Sequence, residues 1–148
     1  MAPLAGTHYP VVLATYISLQ RGPEAEHHAI FIAVSGDGKR GTLFHVIGSL
    51  QQGMKYEARR DCPDPAVSVE IREVHHIGWV RRGTVDEVDR VCQTVAPPEK
   101  QFSLARRLNP DRPIRHCQHW VAEVIAALRT EGILEEGEAP VKTAPTDR

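Results

Sequence analysis

The sequence predicts a single α+β domain in which an antiparallel sheet packs against helices, and three observations carry that prediction. Short β-rich segments separated by turn signals fill the first half of the chain. The apolar period then changes from two residues to three and four, as it does when strands give way to helices. The 148 residues suffice for one real core and not comfortably for two. Strands first and helices last is the order of an α+β fold.

Residues 1–10 are small, polar and Pro-containing, and read as a flexible N-terminus to a domain spanning 11–134. V-V-L-A-T-Y-I-S-L (residues 11–19) is β-branched and aromatic, and is expected to form a strand ending at the turn signal Arg21-Gly22-Pro23. H-H-A-I-F-I-A-V (27–34) and T-L-F-H-V-I-G (42–48) flank S-G-D-G and read as a hairpin. Residues 54–59 continue the sheet, and V-S-V-E-I-R-E-V (67–74) alternates as a half-buried strand that 75–80 extends or follows. Thr84 is placed as the N-cap of a helix carrying Val85, Val88, Val91, Cys92 and Val95 on one face, stopped by Pro97-Pro98. Pro110 and Pro113 punctuate an irregular stretch. Trp120, Val121, Val124, Ile125 and Leu128 then form the apolar stripe of a last helix closed by Gly132. Residues 135–148 read as a flexible tail.

Eighteen basic against nineteen acidic side chains leave a net charge of -1, so no nucleic-acid or anionic-membrane partner is implied. No segment has the plan of a secretion signal or the ~20 apolar residues of a membrane span. Three cysteines without a C-x-x-C pair argue against a disulfide framework and a thiolate zinc site, and a reducing, cytoplasmic setting is expected. The basic pairs Arg59-Arg60, Arg81-Arg82 and Arg106-Arg107 read as solvated patches. Gly36 to Gly38 is a turn and not a phosphate loop, since no helix or Lys-Ser/Thr pair follows.

The chemistry concentrates in R-H-C-Q-H-W-V (residues 115–121), where Cys117 opens the last helix. A cysteine in a first helical turn has its thiolate favoured by unpaired backbone N–H groups and the positive end of the helix dipole. It can equally be a small packing residue, the reading given to Cys92 on its helix face and to Cys62 in a D-C-P-D-P loop. A nucleophilic thiol needs an imidazole within reach and a group to orient it. His45 stands out, a polar ring inside an otherwise apolar strand, where burial costs about 1–3 kcal/mol unless it finds a partner. His27 and His28 are adjacent on a strand, so they face opposite ways. A zinc site built from Cys117, His116, His119, His27, His28, His75 and His76 is the weaker alternative. His116 and His119 are three apart and no H-E-x-x-H pattern is present, so neither metal nor cofactor is expected. His75-His76 is expected at an exposed strand end or edge.

H-H-A-I-F-I, then L-F-H-V, then R-H-C-Q-H-W-V, in this order, resemble the NlpC-type papain-like superfamily in its circularly permuted form, and in particular the lecithin:retinol acyltransferase-like proteins, with H-W-A-I-Y, a second His and N-C-E-H-F-V. The chain is also similar to a group of uncharacterised fungal proteins with G-T-L-[FY]-H-V and R-R-C-Q-type motifs. The superfamily resemblance implies a permuted papain-like (NlpC-like) fold, Cys117 as nucleophile, His27 as its base and His45 as support. His28, Gln118, His119 and Tyr16 are possible supporting residues, Gln118 and Tyr16 as oxyanion donors. Here His116 replaces the Asn and Gln118 the Glu, and His28 stands where the family has Trp, so either adjacent His can face the thiol. The polar chain after Leu134 lacks the apolar anchor of many acyltransferases, which weakens a lipid substrate.

The expected activity is cysteine-dependent hydrolysis or acyl transfer on an amide, ester or thioester of a small molecule or peptide. The alternatives are a binding protein on the same fold, or a cyclase or isomerase using the histidines for proton transfer. Substrate and oligomeric state are not written in the sequence.

Overall fold

The computed structural model describes residues 6–17 and 26–140. Five strands, β1 (His8–Tyr16), β2 (His27–Ala33), β3 (Arg40–Ser49), β4 (Gly53–Pro63) and β5 (Ile71–Arg81), form one antiparallel sheet in the order β4-β3-β2-β1-β5. Two helices follow, α1 (Val85–Thr94) and α2 (Cys117–Thr130), with a two-residue hairpin between them, β6 (Phe102–Ser103) and β7 (Arg106–Arg107). Among the described residues this is a small single-domain α+β protein with a five-stranded antiparallel sheet and two helices. β1 ends at Tyr16, short of the expected Leu19, and the turn expected at 21–23 lies outside the described residues.

The alternation of side chains along each strand decides what each face touches. Ile30 and Ile32 of β2, Phe44 and Val46 of β3, Val11 of β1 and Val80 of β5 lie in one core with Val88, Val91 and Cys92 of α1 and Trp120, Val121, Val124 and Leu128 of α2. Three- and four-residue spacing on the helices meets two-residue spacing on the strands. Trp120 anchors this layer, its ring against Tyr56 and its indole N–H donating to the Val95 carbonyl at 2.9 Å. Removing such a buried indole costs about 3–5 kcal/mol. On the opposite face Ala29, Phe31, Leu43 and Cys62 make a second, smaller core.

Because β4 and β5 are opposite edges of the sheet, the chain between them has to cross it. Residues 64–70 do so, with a 3-10 turn at Pro65–Val67 capped by the Asp64 carboxylate, which accepts the Ala66 N–H. This corrects the expected strand at 67–74: the strand begins at Ile71, and Val69 in the crossing is 98 % exposed. The alternation in V-S-V-E-I was real, but covering the sheet takes precedence over extending it. Cys62, assigned to a loop, is instead buried at the end of β4. It follows a bulge at which Arg60 and Asp61 together face Thr42, with Asp61 at φ 52.

The domain is also wider than expected. β1 begins at His8, inside the stretch read as a flexible terminus. At the other end Glu135 bridges to Trp79, and the Trp79 indole N–H donates to the Glu138 carbonyl at 2.9 Å. Gly78 permits this approach, because a Cβ there would stand 2.5 Å from the Glu135 carbonyl oxygen and its φ is +151°. Thr84 occupies the N-cap of α1 but donates its hydroxyl back to the Arg81 carbonyl and does not cap with its side chain.

Candidate active site

Cys117 is the first residue of α2, and the start of that helix is fastened to the start of β2. The Glu26 carbonyl accepts from the Gln118 side-chain amide at 3.2 Å and from the Cys117 thiol at 3.5 Å. Gln118 is thereby engaged in positioning the helix, where the sequence offered it as an oxyanion donor. His119, in the third helical position, accepts the His116 backbone N–H on Nδ1 at 3.0 Å. It works as half of a capping box and holds the helix start closed.

One residue that sequence reasoning passed over sets the approach to this helix. The side chain of Gln101 donates to the Arg115 carbonyl at 2.6 Å and accepts the Arg115 N–H at 2.7 Å, imitating a neighbouring strand. Its own backbone N–H donates to the Leu50 carbonyl at 2.7 Å, and the Met54 N–H donates to the Pro98 carbonyl at 2.8 Å. The segment read as irregular is therefore laced to the β3–β4 turn. Between them lies a cavity of about 700 Å³, lined on its apolar side by Leu50, Met54, Phe102 and Ile114 and on its polar side by His27, Cys117 and Gln118.

His27 and His45 occupy the other face of the sheet. Phe44 and Val46 point to the helices, so His45 between them does not; the same alternation turns His27 away from Ile30 and Ile32. Tyr16 on β1 is opposite His27, and Glu57 on β4 is opposite His45, so four side chains form a row across four strands. His27 Nε2 is 2.9 Å from His45 Nδ1, and His45 Nε2 is 2.8 Å from Glu57 Oε1. The buried ring that needed a partner has two.

With both rings neutral, these two contacts fix the protons. A carboxylate only accepts, so His45 carries its proton on Nε2 and presents a lone pair at Nδ1. His27 Nε2 must then be the donor, which leaves His27 Nδ1 as a lone pair. Among the described residues Nδ1 of His27 has no hydrogen-bond partner. His27 is the first residue of β2, and it lines the thiol cavity as well as a second cavity on the far face. Of the adjacent pair it is His27 that shares a cavity with Cys117. His28 places its ring 3.9 Å from the Glu26 carboxylate.

Electrostatics here depart from the expected ion pair. Burial pushes the Cys117 thiol up from its ordinary value, outweighing the N–H groups of His28, Cys117 and Gln118 that favour the thiolate. His27 is lowered to about 4, by burial first and then by the neighbouring rings of His45 and His28. The resting state is a neutral thiol and a neutral imidazole, and among the described residues no hydrogen bond joins them. Tyr16 lines the far cavity and not the thiol cavity, so it is no oxyanion donor for Cys117; burial raises its hydroxyl to about 12.

Cys92 is buried between α1 and the sheet, with its pKa raised to about 12 by burial. His75 pairs with Glu73, and His76 with the Gly137 carbonyl, both on β5, which is an edge strand of the sheet as expected for this pair. Among the described residues no group of three or more His, Cys, Asp or Glu side chains is arranged to hold a metal ion, and no helix is long and apolar enough to cross a membrane.

An α+β domain with a thiol at a helix start and a carboxylate–imidazole–imidazole row on its sheet is the class of protein these features define. The chain belongs to a family of unknown function (DUF6540), whose model matches residues 11–135. Comparisons with curated proteins and with solved structures return no match.

Proposed function

We propose that the protein is a cysteine-dependent hydrolase or acyltransferase of permuted papain-like (NlpC-like) fold, with Cys117 as nucleophile, His27 as base and His45 as its support. The observation that carries this reading is the directed chain from Glu57 through His45 to His27, which leaves a lone pair on Nδ1 of His27, a residue that lines the same cavity as Cys117. The neutral resting pair assigns the order of events. As Cys117 Sγ attacks the acyl carbon, its proton passes to His27 Nδ1, and the carbonyl electrons move onto oxygen near the N–H groups at the start of α2. Collapse of the intermediate breaks the bond to the leaving group, which takes the proton from Nδ1 and leaves a thioester on Cys117. Water, an alcohol or an amine then attacks, giving its proton to Nδ1, and the thiol is restored. The apolar wall of Leu50, Met54, Phe102 and Ile114 suits the acyl portion of a small molecule or peptide, in a cytoplasmic setting.

A second reading, a binding protein on the same fold, draws on the thiol itself: Cys117 is 8 % exposed and its pKa is raised. Intact-mass spectrometry with acyl electrophile probes separates the two. The catalytic reading expects a single acyl adduct on the wild type, none on Cys117→Ala, and slow labelling in His27→Ala. A thiol that reacts only after addition of urea leaves the binding reading standing.

A further inference from the structure

The far face of the sheet carries a second cavity, of about 630 Å³, floored by β1 to β4 and roofed by the crossing segment 64–70. Three polar side chains that line it have no hydrogen bond or ion pair among the described residues: Tyr16, Arg59 and Glu70. Arg59 and Glu70 both lie near enough to bias the ionisation of the Tyr16 hydroxyl, one favouring the phenolate and the other opposing it. Asp64, the other acid at this cavity, is already engaged by the Ala66 N–H. The remaining wall is apolar, with Leu43 buried at the floor and Ile17 and Val67 exposed at the mouth.

Opposite charges facing one cavity are complementary to a ligand that carries both, and the apolar wall selects what lies beside them. A simple anion leaves Glu70 opposed by like charge, and a simple amine does the same to Arg59. We propose that this cavity binds a free α-amino acid with an apolar side chain. Its carboxylate lies on Arg59 and the Tyr16 hydroxyl, its ammonium on Glu70, and its side chain over Ile17, Leu43 and Val67. The site is separate from the thiol cavity and does not depend on acyl chemistry there. The two share His27, so occupation of one is felt by the other's base.

Titration of the full chain with L-leucine, followed by NMR, is expected to shift the resonances of Tyr16, Cys62 and His45 saturably. Isocaproate and isopentylamine keep the apolar body and one charge each. Both should bind at least about tenfold more weakly, the scale of one lost charge-assisted contact. Arg59→Ala and Glu70→Ala should each weaken leucine by a similar factor. Leucine binding to Cys117→Ala is expected to be unchanged, so failure of the acyl reading and failure of this one are read separately. Absence of saturable shifts, isocaproate binding as tightly as leucine, wild-type affinity in both charge variants, or loss of binding in Cys117→Ala each overturns the proposal.

Discussion

Glu57 is the residue whose role is largest relative to its visibility in the sequence. Nothing in K-Y-E-A-R marks it, yet its carboxylate 2.8 Å from His45 Nε2 decides the tautomer of two rings. A group of this kind, acting through another residue, is typically worth 10- to 100-fold in activity. Glu57→Ala should therefore slow acylation of Cys117 by about one to two orders of magnitude, measured as the rate of adduct formation. Glu57→Gln, whose amide oxygen still accepts from Nε2, should recover most of the rate. Equal rates in Glu57→Ala and wild type would show that the row of rings does not steer the thiol. His45 itself was legible, because a polar ring in an apolar strand announces a partner; the partner lay across a strand pair whose register no local pattern supplies.

At the scale of elements, the helix start carrying Cys117 is held by pieces distant in sequence. Gln101 grips both backbone groups of Arg115, the Glu26 carbonyl takes the Gln118 amide, and His119 caps the first turn. Gln101→Ala leaves a carbonyl and an N–H of a half-buried residue without partners, at a cost of about 1–3 kcal/mol. Chemical denaturation should report that loss. Hydrogen exchange at 115–118 should show local opening beyond it, and unchanged exchange there would remove Gln101 from this role. The helices were readable from their periods, whereas residues 67–70 of the crossing were misread as strand. A two-residue alternation says that a segment fits a pleated surface and cannot say whether the sheet has room for it or needs to be crossed there.

For the whole molecule, His27 links the site to stability. Its folded pKa of about 4 lies below the ordinary 6.5, so the unfolded chain binds a proton more readily between those values. Stability from this group is complete above pH 6.5 and is lost as pH falls toward 4, by at most ~3 kcal/mol. Urea midpoints for the wild type should fall across that window more than those of His27→Gln, whose side chain does not titrate. Parallel pH curves for the two would mean that burial of the ring does not oppose its protonation. The same burial keeps the thiol neutral, so both partners of the proposed reaction enter it uncharged.

The sequence by itself determined the α+β class, the hairpin of β2 and β3, the two helices and their apolar faces, because these follow from local period, turn residues and proline stops. It also singled out Cys117, His27 and His45, through a helix-start position, a ring out of place and an ordered set of motifs. Only the tertiary structure decided that His27, rather than His28, lines the thiol cavity, that Glu57 completes the row, and that Gln118 and His119 hold the helix start. It also placed Tyr16 and Cys62 at a second cavity on the opposite face. Those outcomes depend on strand order and register, which bring together residues from four strands and a distant loop, and on burial, which removed the expected charge from the thiol.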